Sequence, residues 1–445
     1  ERTGNETPNV GYTAVFPLDA DHLLLWVNHE FPPEPERLRR RRGRNYTGDD
    51  LLGMMGASVI ELGRSRDGGW ELRPDSTRAW RLDGRGPRTR VTGPATAILG
   101  AEASGTLSNC GGGLTPWGTV LTCEENHRYH AEEGLGHPDG SIGALPSKVW
   151  DGALNIPGLR SEEVGWVVEV DPYDPTWVPR RHTALGRFRH ESAVAVAVPG
   201  KPLRLYMAED RVGGSIWRYR SRRRWFPRMR REAGSRLLEE GSLEVAKLLP
   251  GGRGRWIPVH REQPVEAVGQ AGLAAKGEKW GIAAAYLERL TKIKSLGEHY
   301  TGEGALRVDA WVAGILAGGS PLGRPEGSVQ IGSSIFVALT AHTGLEAGDP
   351  FAPPVDVAEG CILQLSEGEG PDFTWQLHSS AGESFANPDN LGVDPNGTLL
   401  LCTDSDILEP YGHNSLCRFT DGAWERQVIA PPEAELCGPS FATDG

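Results

Sequence analysis

The stretch that organises the sequence covers residues 109–126 and reads Asn-Cys-Gly-Gly-Gly-Leu-Thr-Pro-Trp-Gly-Thr-Val-Leu-Thr-Cys-Glu-Glu-Asn. Its glycines allow the backbone to pass close to another group, its Thr-Pro-Trp-Gly segment marks a turn, and residues 120–122 suit a strand. That strand would separate Cys110 from the acidic pair Glu124 and Glu125. The cysteine offers a soft sulfur ligand and the glutamates offer hard oxygen ligands. Because these ligands suit different metals, the stretch indicates a site for more than one kind of metal. The alternative is a buried free cysteine beside a solvated acidic turn.

The same order of turn, short aliphatic strand and polar or acidic end recurs along the chain. Repeated units of four short strands are typical of a β-propeller. We therefore predict an all-β fold, a six-bladed β-propeller in a single domain over residues 1–445. A sixth unit begins at residues 438–445, and we expect it to be closed by both chain ends or lost from the C-terminus. The repeated strands are predicted at residues 22–30, 119–126, 203–210, 334–340 and 398–406, each preceded by another at 12–18, 110–116, 190–197, 324–331 or 387–394.

The units are unevenly spaced, and the largest insertion covers residues 220–319. It begins with an arginine-rich run, which fits either an anion-binding patch or a solvated loop paired with nearby glutamates. Apolar residues then recur at helical spacing over residues 237–249 and 282–296. We predict a mostly helical insertion, with two or three helices on the periphery of the propeller, and a second basic, exposed loop at residues 37–44.

Composition excludes several classes of function. The net charge of −12 argues against a nucleic-acid partner and suits cation binding. No apolar run reaches the roughly 18 residues of a transmembrane segment. The six cysteines form no Cys-x-x-Cys pair, and the sequence contains neither a phosphate-binding Walker loop nor a Gly-x-Ser-x-Gly nucleophile motif. We expect a monomer with carboxylate-rich metal chemistry.

Acidic residues at the starts and ends of the predicted strands form a recurring set. The inner strands of a propeller line a central channel, so these carboxylates would converge there and raise one another's pKa. Metal cations relieve such crowding, and calcium takes roughly six to eight oxygen ligands. Glu30, Asp389 and Asp406 fit ordinary loop carboxylates equally well. The complete set is Glu30, Glu124, Glu125, Glu191, Glu209, Asp210, Glu326, Asp389, Asp404 and Asp406.

The Arg324-Pro-Glu326 segment places a guanidinium two residues from a carboxylate. On a strand the two side chains share one face. A metal held by Glu326 beside Arg324 would make a phosphate site, because arginine matches phosphate oxygens bidentately. The alternative is a simple ion pair in the channel wall.

Six segments together resemble the PhoX family of alkaline phosphatases. The organising stretch follows the family signature, which is close to Asn-Cys-(Ala/Gly)-Gly-Gly-x-Thr-Pro-Trp-Gly-Thr-x-Leu-Thr-Cys-Glu-Glu. The resemblance extends over most of the chain and rests on residues 26–30, 109–126, 186–191, 206–210, 324–326 and 438–441.

The resemblance implies a calcium-dependent phosphomonoesterase that acts on small phosphorylated substrates in the periplasm or outside the cell, after twin-arginine export. It implies two ferric ions bridged by an oxide, together with two or three calcium ions. The iron ligands of the family correspond to Cys110, Glu191 and Glu326, and its phosphate-binding arginine corresponds to Arg324. We expect these four residues to be catalytic. The calcium ligands correspond to Glu124, Glu125, Glu209 and Asp210.

The two later acids, Asp389 and Asp404, are predicted to complete the metal site because they lie at equivalent strand ends. The chain departs from the family at one acidic pair, which is often Asp-Asp and is Glu209-Asp210 here. The additional methylene of Glu209 moves its carboxylate, so this departure affects the expected calcium ligands more than the expected iron ligands.

Two other functions stay open from the residues alone. Residues 387–398 also resemble the blades of calcium-dependent lactonase-type propellers, so a hydrolase that uses calcium without iron is one alternative. A non-catalytic binding propeller stabilised by calcium is the other, although a scaffold of that kind needs no thiol in its channel.

Overall fold

A computed structural model describes residues 10–32, 47–131, 137–142 and 159–442, except residues 281, 347, 369, 383, 406, 408 and 433. The predicted basic loop at residues 37–44 and the candidate acid Asp406 lie outside the described residues. Short antiparallel strands dominate the rest of the chain and form five successive groups, which we call blades 1 to 5.

The strands follow one another in chain order. Blade 1 contains β1 (Val10–Pro17), β2 (His22–His29), β3 (Gly56–Arg64), β4 (Trp70–Leu72) and β5 (Trp80–Leu82). Blade 2 contains β6 (Thr89–Thr92), β7 (Glu102–Ala103), β8 (Asn109–Leu114), β9 (Val120–Glu124), β10 (Val167–Val170) and β11 (Arg180–His182). Blade 3 contains β12 (His190–Val196), β13 (Pro202–Glu209), β14 (Val212–Gly214), β15 (Ile216–Arg224), β16 (Gly241–Leu249) and β17 (Arg253–Pro258). Blade 4 contains β18 (Leu322–Gly323), β19 (Pro325–Ile331), β20 (Ser334–Leu339), β21 (Cys361–Glu367) and β22 (Asp372–Ser380). Blade 5 contains β23 (Pro388–Val393), β24 (Leu399–Thr403), β25 (Ser415–Thr420) and β26 (Ala423–Ile429).

One strand of each blade lies against its counterpart in the next blade. These inner strands are β1, β8, β12, β19 and β23, and they contact one another in that order. Each inner strand pairs antiparallel with the strand that follows it, so β2, β9, β13, β20 and β24 are the second strands of the five blades. Inner strands that succeed one another around a centre are the defining arrangement of a propeller. The predicted all-β propeller is therefore confirmed.

The C-terminal segment occupies the sixth position of this ring, between β23 and β1. The amide of Gly438 donates to Asn390 Oδ1 in β23 at 3.1 Å, and Thr13 Oγ1 in β1 donates to the Gly438 carbonyl at 2.5 Å. A Cβ added at Gly392 would lie 2.6 Å from Pro439, which shows how closely the segment packs on blade 5. The ring is closed by residues from near both ends of the described chain.

Most of the α-helices lie between blades 3 and 4, within residues 220–319. Gly314 packs against the Trp217 ring and Gly319 against Val245, so the insertion shares the hydrophobic core of blade 3. Within the described residues, no helix is long and apolar enough to cross a membrane. The α-helices are α1 (Gly48–Leu52), α2 (Thr96–Leu99), α3 (Arg231–Ser235), α4 (Ala267–Lys276), α5 (Ala284–Leu290), α6 (Glu303–Val308) and α7 (Ala310–Leu316). Single 3-10 turns occur at Asn126–Tyr129, Ser161–Glu163, Thr183–Leu185, Arg236–Leu238, Gly277–Trp280 and Leu296–Glu298.

The helical pattern predicted over residues 237–249 is wrong in its second half. Residues 241–249 form strand β16, which pairs with β15 and β17 and extends blade 3 outward. Leu243 and Val245 alternate with polar neighbours, and the Pro-Gly-Gly turn at residues 250–252 joins two such runs. Alternation followed by this turn is a hairpin signal that outweighs the helical spacing of a few leucines.

Candidate metal centre

Each inner strand that carries a predicted ligand begins with an irregular register. The pairing shifts between Asn109 and Gly112, His190 and Ser192, Pro325 and Ser328, and Pro388 and Leu391. A bulge of this kind adds a residue and re-aims a side chain. The side chains inside these four irregularities are Cys110, Glu191, Glu326 and Asp389.

Backbone strain accompanies three of these strand starts. The residue just before β8, β19 or β23 has a left-handed conformation, with φ values of 54° for Ser108, 53° for Arg324 and 47° for Asn387. Left-handed backbone is uncommon for residues other than glycine and is often found at functional sites. Each of these three strands therefore begins directly after a residue with left-handed backbone.

The glycines of the organising stretch allow β8 and β12 to meet backbone to backbone. A Cβ at Gly111 would lie only 1.2 Å from the Glu191 carbonyl oxygen, and one at Gly113 would lie 1.8 Å from that of Ala193. Any larger residue would force the two inner strands apart. The close approach brings Cys110 next to Glu191, and its Sγ donates to Glu191 Oε1 at 3.6 Å.

The second strands deliver another set of carboxylates to the same end of the ring. Glu30, Glu125, Asp210 and Asp404 each follow immediately after the last residue of β2, β9, β13 or β24. Because antiparallel neighbours end where the inner strands begin, both sets lie at one end of the propeller, which we call the site end.

Three groups of these side chains could each hold a cation. The first contains Glu30, Cys110 and Glu125, and the second contains Glu191, Glu326 and Asp389. The third contains Asp389, Asp404 and Glu435. Within each group, one potential ligand atom per residue lies within 4.8 Å of the others. Asp389 belongs to two groups, so it could bridge two cations.

The electrostatics of the cluster favour bound cations. Burial, reinforced by neighbouring carboxylates, raises the pKa of Glu125, Glu191 and Glu326 well above the ordinary glutamate value. Burial raises the pKa of Glu30 to about 7. Burial and the Glu191 carboxylate likewise raise the pKa of the Cys110 thiol. A nearby cation would reverse these shifts, because it stabilises the deprotonated form of every one of these groups.

Two buried carboxylate oxygens have surroundings that suit a metal ion. Glu125 Oε1 and Glu191 Oε2 are buried, and no donor among the described residues forms a hydrogen bond with either. A buried acceptor without a donor is costly, and a missing ion is one of its ordinary explanations. The Cys110 thiol and the surrounding carboxylates are ligands that metals accept. The residues present therefore fit a metal centre.

Two asparagines position the carboxylates without adding charge. Asn126 Nδ2 donates to Glu30 Oε1 at 2.6 Å and to Glu125 Oε2 at 2.7 Å, so it ties the two acids together. Asn390 Nδ2 lies 3.5 Å from Glu191 Oε1. Sequence reasoning did not single out either asparagine.

Arg324 lies at the edge of the cluster and contacts two of its acids. Its Nε donates to Asp210 Oδ1 at 2.7 Å, and its Nη2 lies 2.7 Å from Glu326 Oε1. Burial would raise the pKa of Asp210, but the Arg324 guanidinium outweighs that effect and holds the pKa well below its usual range. The Arg324 side chain is 32% exposed, whereas those of Asp210 and Glu326 are 9% and 3% exposed. Arg324 is thus the member of this trio that reaches solvent.

Of the two predicted acidic pairs, only Glu125 belongs to one of the three groups, and Glu124, Glu209 and Asp210 belong to none. Glu124 Oε2 accepts from Arg181 Nη1 at 2.6 Å and from the Gly165 amide at 2.8 Å. Glu209 accepts from the Trp217 indole at 3.0 Å. Successive strand residues point to opposite sides, so in each acidic pair only the second member, Glu125 or Asp210, faces the cluster.

Glu435 is an acidic residue of the site that sequence reasoning missed. It lies after the last strand of blade 5, in the segment that leads into the sixth position. No strand and acidic-end pattern precedes it, so the sequence repeat could not have identified it. The one sequence feature that could have indicated Glu435 is its position just before the predicted sixth unit, which begins at residue 438.

Comparisons with known proteins identify similar chains. A family model described as alkaline phosphatase PhoX matches residues 3–445. A solved structure of Pseudomonas fluorescens PhoX in complex with vanadate, a transition state analogue, has a TM-score of 0.76 and 25% sequence identity, covering 98% of this chain and 82% of that one. A search of curated proteins found no match.

Two further solved structures are much less similar. A protein assigned as a 6-phosphogluconolactonase from Bacteroides uniformis has a TM-score of 0.30 and 11% identity, covering 96% of this chain and 85% of its own. A thermostable family-43 glycoside hydrolase has a TM-score of 0.36 and 9% identity, covering 97% and 98%. Likeness at this level supports no inference about function.

Proposed function

Because this chain belongs to the PhoX family of alkaline phosphatases, we propose that it is a metal-dependent phosphomonoesterase whose reaction takes place at the site end of the propeller. The family supports a phosphatase rather than a lactonase-type hydrolase or a non-catalytic propeller. A solved PhoX structure holds vanadate, a transition state analogue. We infer that a phosphate ester of a small molecule is the substrate class here.

The observation that carries this proposal is the placement of Arg324 at the edge of a cluster of buried carboxylates in which Glu125 and Glu191 each have one oxygen without a donor among the described residues. Phosphoryl transfer depends on charge stabilisation around the transferred group, so a site needs cations that the substrate can reach. Buried Glu125 and Glu191 have oxygens available for metal ions. Arg324 supplies a guanidinium at the solvent side of the same cluster.

We assign the iron ligands according to the family resemblance and the calcium ligands among the remaining acids of the cluster. Cys110, Glu191 and Glu326 would bind the two ferric ions, since ferric iron accepts both thiolate and carboxylate. The acids that would bind calcium are Glu30, Glu125, Asp210, Asp389, Asp404 and Glu435. Metal ions held there would supply Lewis acidity and charge neutralisation for a bound phosphoryl group.

The residues of the chain would orient the substrate. Among the described residues, the contacts of Arg324 use Nε and Nη2, which leaves Nη1 for a phosphate oxygen. Asn126 and Asn390 hold the carboxylates in position. Glu124 and Glu209, which we had expected to be metal ligands, would instead anchor the ends of β9 and β13 through Arg181 and Trp217.

The family also bears on where the protein acts. We propose export to the periplasm or the exterior, and action as a monomer on small phosphorylated molecules. All three groups of potential ligands are formed by residues of one chain.

The experiment that tests the function compares kcat/KM for p-nitrophenyl phosphate in Arg324 variants. Arg324→Gln removes the phosphate-binding charge, and we expect kcat/KM to fall by about 10²- to 10³-fold, the effect of losing one electrostatic stabiliser of a transition state. Arg324→Lys keeps the positive charge but loses the planar guanidinium that can bind a phosphate through two nitrogens, so this variant should have intermediate activity. Arg66→Gln, at an exposed position of the β3–β4 turn, is the matched control and should keep full activity.

Full activity in Arg324→Gln would contradict the assignment of Arg324. The absence of p-nitrophenyl phosphate hydrolysis in metal-loaded wild-type protein would contradict the phosphatase itself.

A further inference from the structure

The arginine-rich run at the start of the insertion forms an exposed surface. Residues 222–231 read Arg-Arg-Arg-Trp-Phe-Pro-Arg-Met-Arg-Arg, which is six arginines without an acidic residue in a chain of net charge −12. Five of these arginines are exposed, and the sixth, Arg231, is partly buried. We call residues 222–230, together with Val198 and Lys201, the basic loop patch.

The patch lies at the end of the propeller opposite the metal centre. Strand β13 begins at Pro202 and ends next to Asp210, and Pro202 pairs with Arg224 at the end of β15. Seven residue steps along a strand span about 23 Å. The basic loop patch and the carboxylate cluster therefore face in opposite directions.

The loop has a defined conformation that leaves an aromatic ring in solvent. The Trp225 amide donates to the Lys201 carbonyl at 2.9 Å, and the Gly200 amide donates to the Trp225 carbonyl at 2.9 Å. The Trp225 and Met229 side chains pack against the large core of blade 3. Phe226 is left 54% exposed, and Val198 on the neighbouring turn is 42% exposed.

Among the six arginines at residues 222–231, carboxylates of the described residues neutralise only a few. Among the described residues, Arg222 contacts Glu240 at 3.5 Å and Arg231 contacts Asp171 at 3.1 Å. No carboxylate of the described residues forms an ion pair with Arg223, Arg228 or Arg230. The earlier alternative of a loop paired with nearby glutamates therefore accounts for Arg222 but not for these three arginines.

We propose that the basic loop patch binds the surface of an anionic phospholipid bilayer. Arginines attract the phosphate-rich headgroups, and exposed apolar side chains beside them can enter the headgroup region. Phe226 and Val198 favour a bilayer over a soluble polyanion, because a polyanion gives an apolar side chain nothing to enter. Binding through this patch would hold the metal centre away from the bilayer, open to solutes.

The test is co-sedimentation of the metal-loaded protein with lipid vesicles. We expect binding to vesicles that contain phosphatidylglycerol, little binding to pure phosphatidylcholine, and weaker binding at high salt. The double variant Arg223→Gln/Arg228→Gln should lose about 25-fold in partitioning, since each basic residue near an anionic surface contributes about fivefold. Phe226→Ser should weaken the binding that persists at high salt.

The matched control is Arg66→Gln/Arg289→Gln, which removes the same charge from exposed positions elsewhere. It should bind vesicles within about twofold of wild type. Hydrolysis of p-nitrophenyl phosphate should be equal in all variants, which verifies that each is folded. Equal losses in the patch and control variants would overturn the proposal, as would failure of wild type to bind phosphatidylglycerol vesicles. Binding to soluble polyphosphate but not to vesicles would replace the bilayer with a soluble polyanion.

Discussion

Glu124 and Glu125 are neighbours in the chain, but their carboxylates have opposite electrostatic surroundings. Glu124 is fully buried against Arg181, which is equally buried, so its charge is compensated. Glu125 is buried beside other acids, which raise its pKa together with burial. The acidic pair can be identified from the sequence, but these two roles cannot be assigned from it. Which of the two side chains faces the cluster depends on the residue at which β9 ends, and the sequence does not define that residue.

This difference predicts opposite outcomes for two neighbouring substitutions. Glu124→Gln leaves Arg181 buried without its counter-charge, so we expect the free energy of unfolding to fall by about 3 kcal/mol or more. Glu125→Gln removes one of several mutually repelling carboxylates, so the metal-free protein should be as stable as wild type or more stable. It should instead lose bound metal and at least about tenfold in phosphatase activity.

The measurements are thermal unfolding in chelator and elemental analysis of the purified variants. Equal stability losses for Glu124→Gln and Glu125→Gln in chelator would contradict the division of roles.

The inner strands β8 and β12 are the elements that determine the geometry between Cys110 and Glu191. Their backbones approach so closely that Gly111 has no room for a side chain. The glycine run therefore predicted a close backbone approach, and the structure identifies the partner as the neighbouring inner strand. The sequence could not identify that partner, since the contact joins residues 80 positions apart in the chain.

We predict that Gly111→Ala disturbs both folding and the metal centre. The added methyl group would clash with the Glu191 carbonyl, so the two strands must separate, at a cost of about 1–3 kcal/mol or more in unfolding free energy. Metal content and phosphatase activity should fall with it. Gly368→Ala is the control, because a Cβ there would lie 3.8 Å from the Asp372 carbonyl oxygen, an ordinary contact, and should leave all three measurements unchanged. Wild-type metal content in Gly111→Ala would show that the spacing of β8 and β12 does not control the site.

The strands themselves were the most predictable elements. Residues 22–30 and 203–210 were recognisable because apolar strands ending in acids recur, and the structure has β2 and β13 at these places. Sequence analysis misses the outer strand β16 because its few leucines also fit a helical period, and it misses β17, which contains no leucine, because β17 lies within the same predicted helical insertion. Local spacing could not show that blade 3 continues outward to these strands.

At the scale of the whole molecule, the site end is a concentration of acids within a closed ring. The folded pKa of Glu30 is about 7 and those of Glu125, Glu191 and Glu326 are also raised, whereas glutamates in an unfolded chain titrate near about 4.3. Between these pKa values the folded state binds more protons than the unfolded state, so stability falls as pH rises.

For metal-free protein we therefore predict a melting temperature that falls as pH rises from about 7 to about 8. Asp210 has the opposite shift, and its contribution is lost only at more acidic pH, so it does not alter this trend. Burial lowers the pKa of His29, His130 and His190, but histidines are largely neutral in both states above their ordinary pKa of about 6.5, so these three do not oppose the trend in this range. Bound cations prefer the deprotonated ligands, so calcium and iron should raise the melting temperature most at the higher pH. Scanning calorimetry with and without chelator measures both effects. A melting temperature of the metal-free protein that rises over this pH range would contradict the crowded-acid account.

The repeat predicts the propeller, and it leaves closure of the ring by both chain ends as one of two alternatives. The sixth position is filled by residues around Gly438, which contact β23 on one side and β1 on the other. Glu435 reaches the metal centre through this closure, and no local pattern marks it. The segment between β26 and Gly438 contains no repeated strand pattern, so its path to the site end could not be predicted from the sequence.

The most direct test of the account is the rate of p-nitrophenyl phosphate hydrolysis at alkaline pH before metal removal, after it, and after restoration. Elemental analysis of each sample for iron and calcium accompanies the assay. We predict that hydrolysis falls to background when the metals are removed and recovers when calcium and iron are returned. An undiminished rate in protein shown to be free of both metals would contradict the claim that the carboxylates at the site end make this propeller a metal-dependent phosphatase.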